Sequence, residues 1–265
     1  MNRTIVQWAD WALKGTQNQY ATGAPVRIFI MGRNEWRDEQ EFPLARTQHT
    51  RIYLRAAKGG DGAASSELLR EKPGTESPDH FEYDPANPAP TIGGRLCCGE
   101  DLPPGPFDQR PLEGRPDVLI YSTPALEKDL EVTGFLKLEL YAASSAVDTD
   151  FTAILADVAP DGYARFLTDG VVRARYRNST EKSVLIRPGE IYKFEMDLWA
   201  TSNVFLSGHR IRLYLSSSNF PRFNRNMNTG EPNMRATRMV KAQQTVYHDA
   251  EHPSALVIPE IPVRQ

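Results

Sequence analysis

The residues best suited to move protons are five histidines, His49, His80, His209, His248 and His252. No H-E-x-x-H helix motif contains them. His248 and His252 are four apart, but Pro253 and a loop-like composition break any common helical face. His209 sits in Gly208-His209-Arg210 at the start of a strand pattern. Its ring is better read as holding a turn by a hydrogen bond than as ligating a metal, and no metal or other cofactor is expected. An α/β-type serine nucleophile needs a G-x-S-x-G elbow, and the sequence contains none. Ser207-Gly208-His209 and Ser216-Ser217-Ser218 lie in strand-like context without a following helix. Cys97 and Cys98 are adjacent, which disfavours a disulfide between them, and two thiols cannot build a four-thiolate zinc site. Asp148-Thr149-Asp150 resembles half of a calcium loop but lacks the later Gly and the closing Glu. These acids are better read as turn formers and as partners for Arg173, Arg175 and Arg177. The Asn- and aromatic-rich segment 219–230 reads as turn-forming amides, with a sugar-gripping surface as the alternative.

The elements that must hold these residues are mostly strands. One helix is expected near the start, where Trp8, Trp11 and Ala12 recur at helical spacing and Gly15 supplies a stop. Its two tryptophans are expected in the core. A strand follows at 26–31, closed by Gly32, and residues 33–47 read as a charged, proline-interrupted connection. The stretch 72–116 holds ten prolines and cannot be central sheet, so it must be functional or packed against something. Beyond it the pattern has period two. Val132, Leu136, Leu138, Leu140 and Ala142 form one inward set; Tyr192, Phe194, Met196 and Leu198 form another; Ile211, Leu213 and Leu215 form a third. Val172, Ala174 and Tyr176 alternate with Arg173, Arg175 and Arg177 as a further strand. Segments 118–122, 150–158, 240–247 and 256–258 add candidates. Turns are expected at Pro160-Asp161-Gly162, Asp169-Gly170, Pro188-Gly189 and Ser207-Gly208. Many short alternating strands without intervening helices imply a mainly β fold, a jelly-roll β-sandwich.

The chain has 265 residues, enough for one large domain with an appendage. Its 31 Lys and Arg against 34 Asp and Glu, a net charge of −3, exclude a strongly basic nucleic-acid binder. No apolar run is long enough for a membrane helix, and the first residues lack the apolar centre of a secretory signal, so a cytoplasmic protein is expected.

Nine segments occur in a familiar order. They are Asp84-Pro85-Ala86-Asn87-Pro88, Gly93-Gly94, Gly105-Pro106-Phe107-Asp108-Gln109-Arg110, Asp148-Thr149-Asp150-Phe151, Arg173-Ala174-Arg175-Tyr176-Arg177, Gly208-His209-Arg210, Ser216-Ser217-Ser218-Asn219-Phe220-Pro221, Asn228-Thr229-Gly230 and His252-Pro253-Ser254. Together they resemble the C-terminal region of the CocE/NonD family of serine hydrolases, the X-Pro dipeptidyl-peptidase C-terminal-like domain. The resemblance implies a galactose-binding-like jelly roll over 48–265, preceded at 1–47 by the tail of an α/β-hydrolase domain and a linker. It implies ester or amide cleavage through a Ser-His-Asp triad that has no counterpart in this chain. It implies a non-catalytic role here, with an α/β-hydrolase catalytic domain as partner in cis or as a separate chain and a homodimer as a further possibility. Leu96, Cys97 and Cys98, after Gly93-Gly94, are the residues the resemblance brings to the acyl pocket. A free-standing carbohydrate-binding jelly roll is the alternative.

Overall fold

The computed structural model describes residues 2–56, 66–96, 102–232 and 235–262. Helix α1, Arg3–Lys14, starts where the Asn2 side chain accepts a hydrogen bond from the Thr4 amide. It stops where Gly15 turns left-handed at φ 66°. The expected helix is present, but its tryptophans are on the surface and α1 buries no residue. A second helix, α2, Gln19–Thr22, is capped by Asn18. At four residues it is too short to leave a periodic signal.

Strand β1, Val26–Ile30, pairs antiparallel with β2, Glu35–Glu39, so the charged segment 33–47 is not a plain connection. The β2 sequence, EWRDE, carries no apolar alternation, and pairing with β1 is what makes it a strand. The ribbon joins the sandwich where the Met31 amide donates to Ser202 O and the Val204 amide donates to Met31 O.

The remaining strands are β3 (Gln48–Arg55), β4 (Ser66–Leu69), β5 (Asp79–Tyr83), β6 (Leu119–Ser122), β7 (Leu130–Ser144), β8 (Asp150–Val158), β9 (Ala164–Arg173), β10 (Tyr192–Phe205), β11 (Arg210–Ser216), β12 (Ala242–Tyr247) and β13 (Ala255–Ile261). They form one hydrogen-bonded path, β5-β12-β7-β13-β3-β4-β6-β11-β8-β9, with β10 also pairing β7. Every pairing is antiparallel except β4 with β6. The path folds over one core, to which β7 and β10 contribute Leu138, Leu140 and Phe194, and β8 and β11 contribute Phe151, Leu155 and Leu213. The fold is therefore mainly β and a sandwich, as the periodicity predicts. The inward sets read from β7 and β11 are all buried, and in β10 only Tyr192 is partly exposed.

Strand β8 departs from alternation, because all nine of its residues are buried. Its outer face carries a second core of Ile154, Ala156, Phe166 and Tyr214, covered by Ala89 and Leu112 from the proline-rich stretch. The stretch thus acts as a cover for the sheet. Its proline-free window 79–83 forms β5, an edge strand that among the described residues pairs only with β12.

Three sequence readings need correction. Ala174–Tyr176 is a 3₁₀ turn that ends β9, so the arginines do not share a strand face. Asp169-Gly170 is not a turn but lies inside β9. Glycine is required there because a Cβ would run into the Asp197 carbonyl oxygen and lie 2.8 Å from Leu198 Cδ2 of β10. Strands β3 and β4 are not anticipated at all; the first half of β3 is polar and β4 has only four residues.

Candidate functional site

The Gly93-Gly94 turn is built to deliver one side chain. Gly94 and Gly105 exchange backbone hydrogen bonds of 2.7 and 3.0 Å. Both Gly93 (φ 62°) and Gly94 (φ 85°) have left-handed backbones, and a Cβ on Gly93 would meet Gly105 O at 2.6 Å. The chain leaves this turn with Arg95 aimed at Asp169. Arg95 Nη2 donates to the Asp169 carboxylate at 2.7 Å and to its carbonyl at 2.6 Å. Asp169 is buried and also receives Arg222 Nε and Asn219 Nδ2, each at 3.3 Å. Two guanidinium groups therefore share one carboxylate. Arg95 Nε is buried without a hydrogen-bond partner among the described residues.

The Arg95 guanidinium lies over the Trp199 ring, 5.4 Å from its centroid. Trp199 occupies the bulge in β10 where the register with β7 shifts between Asp197 and Ala200. Its φ is 68°, a strained backbone for a bulky residue, and Asp197 Oδ1 accepts its amide at 2.6 Å. Leu96, next along from Arg95, is half-buried. Cys97 and Cys98 lie outside the described residues, so of the three expected pocket residues only Leu96 is located.

Four residues along β9 from Asp169, where Arg173 pairs with Asp150 of β8, lies a buried ionic clamp. Arg173 grips Asp150 with two 2.8 Å bonds, and Arg175 grips Asp148 at 2.8 Å. The acids and arginines therefore pair within the chain, as the sequence suggests. The 3₁₀ turn makes this possible by sending Arg175 inward, where its Nη2 also reaches Glu231 O. Asn226 Nδ2 donates to both Asp148 (2.7 Å) and Asp150 (2.8 Å). Burial pushes the Asp150 carboxyl above the usual carboxylate range, against the opposing pull of Arg173. Arg177 takes a different course and stacks on Tyr192 at 4.4 Å. Within 219–230 the amides of Asn219, Asn226 and Asn228 are buried and donate to groups of this chain. That leaves those amides turned inward and not toward a sugar.

The imidazoles serve other ends. His209 Nδ1 bonds Asp157 on the neighbouring strand at 2.7 Å. His248 Nε2 meets Asp79 at 3.1 Å beneath the Tyr121 hydroxyl, which donates to the same carboxylate at 2.6 Å. His252 bonds Asp249, and His80 bonds Thr245. Among the described residues no imidazole bonds a serine hydroxyl, and no group of three His, Cys, Asp or Glu could hold a metal. No helix among them is long and apolar enough to cross a membrane.

The surface carries the remaining signal. The chain has four tryptophans, and none is in the core: Trp8 is 51%, Trp11 37%, Trp36 62% and Trp199 61% exposed. Trp36 stacks edge-on against exposed Phe29 across the β1–β2 ribbon, and Phe42 lies 5.5 Å from exposed Phe135. The ribbon is held on the sandwich by charge. Arg37 makes a bidentate pair with Glu131 at 2.8 and 2.6 Å and also meets Glu39, which Arg46 grips in turn. The Arg46 hydrogen bonds hold the Glu39 carboxyl below its ordinary value.

Comparison with known proteins gives four consistent findings. The family described as the X-Pro dipeptidyl-peptidase C-terminal non-catalytic domain matches residues 18–257. Cocaine esterase from Rhodococcus sp. (strain MB1 Bresler) is 48% identical over 261 residues, covering 95% of this chain and 44% of that protein. An aminopeptidase from a marine sediment Thaumarchaeota archaeon superposes with a TM-score of 0.85 at 27% identity, over 98% of this chain and 44% of its own. An α-amino acid ester hydrolase superposes with a TM-score of 0.84 at 27% identity, over 97% and 44%. The chain thus spans less than half the length of each of these relatives.

Proposed function

This chain belongs to the family of X-Pro dipeptidyl-peptidase C-terminal non-catalytic domains, and from that premise we propose that it is the β-sandwich companion of an α/β serine hydrolase of acyl-esterase or dipeptidyl-peptidase type. It packs on the catalytic domain and supplies part of the wall of the acyl pocket through Leu96, Cys97 and Cys98. The observation that carries this reading is the placement of all four tryptophans at the surface. Tryptophan is highly buried on average in a self-sufficient domain and is enriched where a partner covers it. Residues 1–47 form the end of the catalytic domain and the linker, and the sandwich domain runs from 48 to 265. In support, α1 buries nothing of its own and β3 begins at Gln48. Two adjacent cysteines without a disulfide framework suit a reducing cytoplasm.

The test is to assay p-nitrophenyl acetate hydrolysis by the isolated chain and by the chain together with its α/β-hydrolase portion. The isolated chain is expected to match buffer, and the complete hydrolase to turn over until a fluorophosphonate blocks it. Fluorophosphonate-sensitive turnover by the isolated chain overturns the reading. In the complete hydrolase, Cys98→Phe should shift kcat/KM away from bulky acyl groups; an unchanged profile removes Cys98 from the pocket. The uncovered apolar surface also makes a second copy a partner of the isolated chain, so sedimentation should show dimers or larger species. A clean monomer at high concentration counts against that contact.

A further inference from the structure

The outer face of the sandwich is hollowed where β3, β13 and β7 run side by side. Leu54, Leu138, Leu140 and Leu256 point into the core, so Tyr53, Glu139, Tyr141 and Ala255 point outward. Ala255 pairs in register with Tyr53 on one side and Glu139 on the other. Two segments rise over this face, residues 72–74 and the turn at 249–253. The Ala250 amide donates to Gly74 O at 2.8 Å and ties them together. They enclose a cavity of about 380 Å³ lined by Arg51, Tyr53, Lys72, Pro73, Tyr141 and Pro253, with Glu139 in its floor. Small-molecule sites span roughly 300–1,000 Å³.

The groups that face the cavity are mostly donors. Tyr53 is only 8% exposed, yet its hydroxyl makes no hydrogen bond among the described residues. Arg51 gives Nε and Nη2 to Glu139 at 3.3 and 3.2 Å and keeps Nη1 free of any partner among them. Lys72 is exposed and meets no carboxylate among them. The single acid in the floor is already occupied: Lys137 meets Glu139 at 3.0 Å and Lys193 at 3.7 Å, besides Arg51. Of the acids in the walls, Asp249 accepts from the Glu251 and His252 amides, and Glu71 and Glu251 are exposed and do not line the cavity. Tyr141 is held in place, with its amide on Ser254 Oγ at 2.8 Å and its ring against His252 at 5.6 Å. A guanidinium, an ammonium and a phenol with no free acid beside them suit an anion. A tyrosine ring and two prolines suit a flat carbon body, which inorganic phosphate lacks. A sugar needs acceptors as well as donors for its hydroxyls, and the Glu139 oxygens are taken.

We propose that this cavity binds a small organic carboxylate, its anionic end on Arg51, Lys72 and the Tyr53 hydroxyl and its apolar body on Tyr141 between Pro73 and Pro253. The site goes beyond the hydrolase reading and does not rest on it. Every group involved belongs to this chain, so failure here leaves that reading untouched.

The chain is titrated at neutral pH with 3-phenylpropionate in a calorimeter, with 3-phenylpropanol, 3-phenylpropylamine, inorganic phosphate and maltose as comparison probes. The carboxylate should bind with a Kd of about 1 mM or tighter, and the alcohol and amine about tenfold more weakly or worse. Arg51→Gln should weaken the carboxylate about tenfold, the scale of a lost hydrogen bond between charged groups. Lys72→Gln, at an exposed residue, should weaken it about threefold. Tyr53→Phe removes only a hydroxyl, so it should weaken the carboxylate about threefold and leave the melting midpoint in place. A structural role for that hydroxyl would move the midpoint instead. Arg27→Gln, on the ribbon at a side chain 65% exposed, controls for net charge and should change nothing. If Arg51→Gln does not fold, Lys72→Gln and Tyr53→Phe decide. No binding of the carboxylate below about 10 mM, or unchanged affinity in the folded variants, overturns the site. Equal binding of the alcohol or the amine, or tighter binding of phosphate or maltose, overturns the ligand class and with it the proposal.

Discussion

Replacing Asn226 by alanine tests the buried clamp of Asp148, Asp150, Arg173 and Arg175. Asn226 is buried, and its Nδ2 donates to the two carboxylates of Asp148 and Asp150 at 2.7 and 2.8 Å. A hydrogen bond to a charged group contributes about 1.5–3 kcal/mol, so losing two should cost roughly 3–5 kcal/mol after relaxation. Arg173 and Arg175 still hold the acids, so the chain should fold with its clamp weakened. Urea unfolding at pH 7, followed by circular dichroism, should show a lower midpoint with an unchanged slope. The thermal midpoint should drop by about 10 °C, at roughly 2–4 °C per kcal/mol for a chain of this size. Asn226→Asp should cost more at pH 7, because it removes the donors and adds a third carboxylate beside two. Burial and repulsion raise that new carboxyl's folded pKa above its unfolded value near 3.9. Its protonated form is therefore compatible with folding, and stability is lost as pH rises through the folded value. The gap between Asn226→Asp and wild type should narrow as pH falls from 7 toward about 4. A loss under about 1 kcal/mol for Asn226→Ala, or a gap that widens in acid, would refute the reasoning.

Other expectations follow from single residues. Gly170→Ala forces a Cβ against the Asp197 carbonyl where β9 meets β10, and should destabilise by about 1–3 kcal/mol; an unshifted melt would show that the strands can part freely. Glu39 has a folded pKa held down by Arg46, so its contribution is present above the unfolded value near 4.3 and disappears as pH falls through the folded one. Glu39→Gln should flatten the acid limb of a melting-point series between pH 3 and 7, and an identical limb would remove Glu39 from that role. Trp8→Ser and Trp36→Ser sit on open surface and should change stability by no more than about 0.5 kcal/mol. The same changes should weaken association with the catalytic portion in a pull-down of purified partners, and undiminished binding would place the contact elsewhere.

Residues in the amino-acid order alone settle the fold class and the family resemblance, because period-two burial in β7, β10 and β11 is a local property of neighbouring side chains. The pairing of Asp148 and Asp150 with the arginines is legible for a related reason: buried charges of opposite sign must meet. Tertiary structure decides the rest. Strand β8 reads as doubly buried only once Ala89 and Leu112 are seen to cover its outer face. Asp169-Gly170 carries a turn composition, yet the close approach of β10 makes it strand. Trp8 and Trp11 have the spacing of a core helix, but whether an apolar stripe faces its own sandwich or a partner depends on what lies opposite it. The Arg95–Trp199 contact joins residues far apart in sequence through a bulge and a two-glycine turn. Such a meeting depends on long-range geometry, and no short window of sequence encodes it.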